Sequence, residues 1–489
     1  MMGRQEQPQN NLFHYGINLD QRIRNNHPLR KVHELIDFDF AYAEVKHCYG
    51  HNGNESVPPP IILKLMLLLV FYNVRSEREL METVPERMDW LWFLGYDLHD
   101  KIPNHSVLSK ARKKWGVAVF QSFFERIVFQ CVQAGLVDGS KVFVDSSLID
   151  ANASNNSVLD TRKLKDQLHK NYRKLEARLA EGNPSSCTSH NIEKKNSRYI
   201  STTDPDAAIV NRGKPKLTYQ VHRAVDGENE IITATGATAG DVNEAHLLLP
   251  LLRQHEATTG ATVDTVVADS KYGTIDNFLA CLDQGVKAHI PDLKGAAFKR
   301  SKKRGIFTDD QFVYDPDTDT YRCPAGNLLK RKSLHMQRES SDYGAPKKVC
   351  AVCELRDQCT KNKTGRTVKR HLRQNELDTM RQKSQSEEAK QDIKTRQHLM
   401  ERSFANASRF GFDHARWRGL WRMHIQELLV CSVQNIQVLL KKSGKPKNAG
   451  VKAIKTLIAN LSEQVLRLRQ TIYGNVNVFL SNCSDFQRT

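Results

Sequence analysis

The sequence predicts an α/β chain with a helical N-terminal domain and a basic, cysteine-containing insertion. Three observations predict it. Residues 1 to 135 carry apolar runs with helical spacing. From Lys141 onward, short apolar stretches of strand character alternate with helical patterns, the texture of a sheet covered by helices. From about Pro291 to Thr395 that alternation stops, and basic residues and cysteines take over.

At 489 residues the chain has room for about three domains, each with its own core. Lys and Arg number 73 against 55 Asp and Glu, a net charge of +18. That excess favours a polyanionic partner, because each phosphate neutralised releases condensed counterions. Met1 to Asp20 is polar and lacks the apolar centre of a signal peptide. The greasiest run, Ile61 to Tyr72, contains Lys64 and falls short of the ~20 residues of a membrane helix. The expectation is a cytoplasmic protein with no membrane partner. Its ten cysteines are then expected reduced, so that clustered ones suggest metal before disulfide.

In the helical part, Pro58-Pro59-Pro60 stops the chain before the apolar helix from Ile61. Ser76-Glu77-Arg78-Glu79-Leu80 opens the next helix, and Pro103-Asn104-His105-Ser106 supplies cap residues for another. That last helix carries Arg112, Lys113 and Lys114. Short helices, a tight turn and a basic final helix suit a helix-turn-helix-like DNA reader. A plain bundle with a solvated basic face fits equally.

Val142-Phe143-Val144 is a short apolar run that delivers Asp145 at its end, as a buried strand would. A polar segment from about Asn155 to Lys195 reads as helix and loop. Strands are predicted at Leu217 to Asp226 and Glu230 to Thr238, split by the turn signal Asp226-Gly227. A leucine-rich helix (Glu244 to Arg253) leads into strand Thr265 to Ala268, which ends in Asp269. A helix (Asn277 to Gln284) and a strand (Lys287 to Ile290) follow. Beyond the insertion, helical character returns around Glu401, and Ile425 to Leu440 reads as a core helix.

Two aspartates at strand ends suggest a chemistry. Moving a phosphodiester requires activating a water or hydroxyl on one side of phosphorus and stabilising the leaving oxygen on the other. Two divalent metals about 3.5–4 Å apart do both. Hard cations such as Mg²⁺ take carboxylate oxygens, and crowded carboxylates are reasonable only beside such charge. Either aspartate alone reads as readily as a loop or cap residue.

A family resemblance joins these residues. Val144-Asp145-Ser146-Ser147-Leu148-Ile149-Asp150 resembles the first-aspartate motif of DDE transposases of bacterial insertion sequences. Ser201-Thr202-Thr203-Asp204-Pro205-Asp206-Ala207, with Tyr219-Gln220-Val221-His222, looks like the segment around their second and third strands. Val267-Ala268-Asp269-Ser270-Lys271-Tyr272-Gly273 is similar to the second-aspartate motif. Glu401-Arg402-Ser403-Phe404-Ala405-Asn406-Ala407, followed by Arg416-Trp417-Arg418-Gly419-Leu420 and Asn435, resembles the segment of the last acid. The resemblance implies an RNase H-like catalytic core with Asp145 on the first strand, Asp269 after the fourth and Glu401 on a late helix. It implies an N-terminal all-α DNA-binding domain (1–135) and a core in two parts (139–290 and 396–442). The basic insertion (291–395) then lies between the fifth strand and the Glu-bearing helix, with a C-terminal helix and tail (443–489). Asp145, Asp269 and Glu401 would hold two Mg²⁺ or Mn²⁺ ions. The activity implied is cleavage and strand transfer at transposon ends; a nuclease of the same fold and an inactive DNA-binding derivative are the alternatives. The family often has a basic residue seven positions after the last acid; here that position is Ser408, and Arg409 beside it is the candidate.

Double-stranded DNA, as transposon end and target, is the expected partner, which would associate the protein with the nucleoid. Lys216, Tyr219, His222, Arg409, Arg416, Arg418 and Arg422, with Arg112, Lys113 and Lys114, are candidate DNA contacts. Trp417 and Trp421 sit four apart and suit core anchors. Cys323, Cys350, Cys353 and Cys359 suit a structural Zn²⁺ site, or else remain unmetallated thiols. From Val451 to Ile472 apolar residues repeat at alternating steps of three and four, a seam for a homodimer on DNA or for docking on the protein's own core.

Overall fold

Three prolines set the first core element. In the computed structural model, which describes residues 2–4, 18–50, 54–161, 199–292 and 305–442, helices α1 (Pro28–Leu35) and α2 (Phe40–Val45) precede α3 (Pro59–Phe71). Prolines lack the N–H that a first helical turn leaves unused, so Pro59 and Pro60 fit there and Pro58 serves as the cap. Every residue from Pro59 to Val70 is buried. Lys64, the one charge in that run, lies 5.5 and 5.3 Å from the ring centres of Phe38 and Phe93, and burial pushes its pKa down. Around α3 pack α4 (Glu77–Thr83), α5 (Met88–Leu94) and α6 (Ser106–Gln133). Ser76 caps α4 through a 3.1 Å hydrogen bond from Glu79 N, as its sequence predicts. Gly116 (φ 69°, ψ −167°) breaks α6 just after the basic stretch 112–114, a conformation open to glycine.

The central sheet begins with β1 (Lys141–Asp150). Strands β2 (Ala208–Arg212), β3 (Lys214–Asp226) and β4 (Ile232–Ala239) follow, then β5 (Thr265–Val267) and β6 (Lys287–His289). β3 pairs antiparallel with β1, β2 and β4, while β5 lies parallel to β1, and β6 parallel to β5. Side chains alternate across a strand. Val142, Val144, Val266, Ala268 and Ala288 therefore share one face, which α7 (Leu248–Thr259) and α8 (Ile275–Asp283) cover. The other face carries Lys141, Phe143, Asp145, Val267 and His289, and receives α10, introduced below.

The expected basic insertion contains a second sheet. Its strands β7 (Val313–Asp315), β8 (Thr320–Arg322), β9 (Leu328–His335), β10 (Ser340–Gly344) and β11 (Thr367–His371) are antiparallel and consecutive. Phe312, Tyr321, Leu329, Tyr343, Ala345 and Val368 form its own small core. Residues 374–395, at the end of the expected insertion, are largely helical. α9 (Gln374–Lys383) buries Leu377 and Met380 in the main core, and α10 (Glu387–Ser408) crosses β1, β5 and β6. α11 (Leu420–Lys442) ends the described chain. The chain forms two compact units, Met1–Val438 and Leu439–Thr489, the second described only through residue 442. Most of the segment 155–195 and all of the seam 451–472 lie outside the described residues. Among the described residues no helix is long and apolar enough to cross a membrane.

Arg223 of β3 is fully buried and spends its donors on α10 and α11. Its Nε and Nη2 donate to Glu427 at 2.6 and 3.1 Å, and its Nη1 donates to Gln434 Oε1 at 3.0 Å and the Ser403 carbonyl at 3.3 Å. Removing one partner would leave a buried, uncompensated charge, so Glu427→Leu is expected to cost about 3–5 kcal/mol by urea denaturation. Arg223→Met with Glu427→Leu should recover part of that loss, and full additivity of the two losses would refute the coupling.

His222 is buried against Thr238 (2.9 Å), and burial pushes its pKa from 6.5 down to about 3. The unfolded chain therefore takes up a proton that the folded chain refuses. Stability from this site is complete above about pH 6.5 and is lost progressively towards about pH 3, at about 1.4 kcal/mol per pH unit. Over that window the urea midpoint of His222→Gln should fall less steeply with acid than that of the wild type.

Candidate active site

β1 and β5 run parallel, with Phe143 opposite Val267. Carrying that register two residues further sets Asp145 beside Asp269, just past the end of β5. Asp145 Oδ1 accepts from Ser146 N at 2.8 Å, and Asp269 Oδ1 accepts from Ser270 Oγ at 2.9 Å. Burial pushes the Asp145 carboxyl above its usual range; Arg396 and the Ser146 N–H oppose that, and the neighbouring charge of Asp269 adds to it. Two strand-end aspartates predicted separately thus share one edge of the sheet.

The third acid stands differently. Glu401 lies on α10, is exposed, and accepts from Gln397 Nε2 at 3.2 Å. Among the described residues, the metal-type group whose ligand atoms lie within 4.8 Å of one another is His289, Glu388 and Asp392, and the triad does not close to that distance. The cation facing Asp145 is Arg396 of the same helix, with Nη1 2.5 Å from Asp145 Oδ2. Three carboxylates repel, and an arginine one turn away from the third offers the first a cheaper partner.

One turn before Arg396, Asp392 ties α10 to the sheet. Lys141 Nζ of β1 lies 2.9 Å from it, and His289 Nδ1 of β6 lies 2.7 Å from it. Both of its oxygens are thus committed, and with Lys141 already supplying a cation the group reads as an ion-paired clamp rather than a metal site. Asp392→Ala leaves the half-buried Lys141 and the buried His289 without their partner. It is expected to destabilise the fold by about 1–3 kcal/mol in chemical denaturation; an unchanged midpoint would refute the clamp.

Four residues beside the aspartates were given no role of their own by the sequence. Glu244, buried, accepts from Ser146 Oγ and pairs with Lys271. Gln220 Nε2 donates to Ser146 Oγ at 2.7 Å and to Glu244 at 3.4 Å. Lys271 follows Asp269 by two residues and Ser146 adjoins Asp145, so those two were legible as neighbours. Nothing in the local pattern marks Glu244, which arrives from a short turn after β4.

The predicted DNA contacts divide by exposure. Tyr219 and His222 are corrected: both are fully buried, since they lie on the central strand β3. Tyr219 donates to Asp204 Oδ1 at 2.6 Å, and that oxygen also accepts from Gly419 N at 3.1 Å. Asp206 accepts from Leu420 N at 3.0 Å, so the Asp204-Pro205-Asp206 segment caps the start of α11. Arg112 is likewise corrected: it is buried, pairs with Glu77, and stacks 3.9 Å from the Trp417 ring centre. Arg416 holds backbone and side-chain oxygens of the helical domain, with Val74 O and Asn73 Oδ1 both at 2.5 Å. Arg422 lies half-buried over Trp421. Lys113, Lys114, Lys216, Arg409 and Arg418 are exposed, with Lys216 2.7 Å from Asp150 and Lys114 over the Tyr49 ring.

In the insertion, Cys323, Cys350, Cys353 and Cys359 line a single cavity as free thiols. Burial pushes the Cys359 thiol up; Arg366 opposes this and the other three cysteines add to it.

Two family models match the chain. Transposase domain (DUF772) matches residues 17–114, most of the helical domain. Transposase DDE domain matches residues 322–440, from the insertion sheet through α10 with Glu401 to α11. No curated protein matches the chain significantly. A helical domain of the first kind followed by a DDE domain defines a transposase. Over those two segments the chain is similar to transposases, and over the second to their DDE domain. Asp145 and Asp269 fall between the two matched segments.

Proposed function

We propose that this chain binds the ends of its insertion sequence and carries out metal-dependent strand cleavage and strand transfer with Asp145, Asp269 and Glu401. The observation that carries the reading is the juxtaposition of Asp145 and Asp269 at neighbouring parallel strand ends, beneath the helix bearing Glu401. The strand order β4-β3-β1-β5-β6, in which β3 alone runs antiparallel to the other four, supports an RNase H-like core. The donors are all hard carboxylate oxygens, which fit Mg²⁺ or Mn²⁺. When bound, such cations stabilise charge on the leaving oxygen and ease deprotonation of the attacking water or hydroxyl.

The chain's own residues prepare that site. Asp145 and Asp269 are held by adjacent N–H and hydroxyl donors, which fixes their carboxylates toward the sheet edge. Arg396 neutralises Asp145 until a stronger cation competes for it. Lys271 compensates Glu244, so a fourth carboxylate does not add uncompensated charge. Glu401 reaches the aspartates through a movement of its side chain, since α10 is held by Asp392 and Ser403. Exposed Lys113, Lys114, Arg409 and Arg418 supply phosphate contacts, and Arg409 rather than Ser408 supplies the cation after the last acid.

The test is cleavage and joining of double-stranded DNA bearing the element's own ends, with Mg²⁺ present. Asp145→Asn, Asp269→Asn and Glu401→Gln should each lower both reactions on the order of 10³-fold while gel-shift binding persists. Wild-type activity in Asp269→Asn would overturn the triad. Cleavage without joining would favour a nuclease, and binding without either would favour an inactive derivative.

A further inference from the structure

The insertion has too thin a core for its size. Six buried apolar residues serve five strands, two of the six being tyrosines, and the segment between β10 and β11 is two short helical turns. Segments with so little to bury usually gain a staple. The four cysteines stand where one would act. Cys323 follows β8 in a tight turn, closed by Gly326 N to Cys323 O at 2.8 Å and Cys323 N to Asn327 O at 3.0 Å. Cys350 lies in the first short helix (Lys347–Ala351), Cys353 in the turn after it, and Cys359 ends the second (Arg356–Cys359).

We propose that Cys323, Cys350, Cys353 and Cys359 form a structural zinc site that ties the β8–β9 turn to the helical segment between β10 and β11. Thiolates from separate segments face one cavity, the donor set that Zn²⁺ takes in closed tetrahedral sites. Phe307, Phe312 and Leu329 line it with apolar surface, and four sulfurs would fill the coordination shell of a bound ion. Space for sulfur is built into the backbone: a Cβ on Gly365 (φ +94°) would sit 2.8 Å from Cys350 Sγ. Positive charge is close by. Arg366 Nη1 donates to Cys359 O at 3.1 Å, and Arg356 Nη1 to Cys350 O at 3.3 Å, so two cations lie beside the segments that carry these sulfurs. The sulfurs share the cavity without closing to within 4.8 Å of one another. Binding draws them to roughly 3.8 Å, the edge of a tetrahedron with ~2.3 Å bonds, while each thiol releases its proton.

The experiment uses the full chain, purified reduced and without chelator. Elemental analysis should find about one zinc per chain, and Co²⁺ in its place should give thiolate-to-metal charge-transfer absorption. Cys353→Ser with Cys359→Ser should lower zinc content on the order of tenfold, whereas Cys131→Ser and Cys281→Ser, buried elsewhere, should leave it unchanged. Because the double variant could lose the insertion's fold, alkylation mapped by mass spectrometry is read on the wild type. Zinc should protect these four cysteines, and a chelator should expose them. Failure of the reduced wild type to take up Zn²⁺ or Co²⁺, equal zinc in the double variant, or two disulfides among the four would each overturn the site. None of these readouts depends on DNA cleavage.

Discussion

Arg223 is the fixed point of the catalytic body. It sits at the middle of the central strand, directly opposite Asp145 in register, with no exposure to water. At an effective dielectric near 20 its attraction to Glu427 is about 4 kcal/mol. Desolvating the two ions costs several kcal/mol each, so the pair adds little net stability. What it adds is placement. The guanidinium reaches α11 through Glu427 and Gln434 and α10 through Ser403, and the Phe404 and Phe412 rings flank it. Any shift of either helix along the sheet would strand a buried charge. The helix that bears Glu401 is therefore held two residues from that acid.

Asp145 sits on the same face and resolves a second electrostatic problem. Burial and Asp269 both disfavour its charged form, and Arg396 is the nearest compensation. A divalent cation competes with one arginine for the same carboxylate, and its doubled charge wins at equal distance. Arg396 thus compensates Asp145, while Glu401 on the same helix bonds Gln397 instead. Asp392 anchors the same helix one turn earlier, so displacement of Arg396 need not undock α10.

The strands and their aspartates were legible because a buried parallel strand must be apolar and must end where a carboxylate can be solvated. Helix starts were legible through Ser76 and the proline run. The burial of Tyr219 and His222 was not, since a polar residue on a strand can face either way and only the covering helices decide. Glu244 was invisible for the same reason: its partners Ser146 and Lys271 are 98 residues upstream and 27 downstream. The insertion misled because its strands are short and polar outside a thin core, so alternation was weak. The segment Asp204-Pro205-Asp206, read as leading into the second and third strands, also caps a helix, a duty that spacing alone does not reveal.

Much of the basic charge that pointed to a polyanion is engaged inside the protein, and where it is engaged matters. Arg416, in the loop after α10, grips Asn73 and Val74 at the end of α3, and Gly411 makes the approach possible: a Cβ there would stand 2.5 Å from Asn73 Oδ1. Arg112 of α6 pairs with Glu77 of α4 and stacks on Trp417. The helical domain is thus fastened to the loop that leaves the Glu401 helix, not to the sheet edge that carries the aspartates.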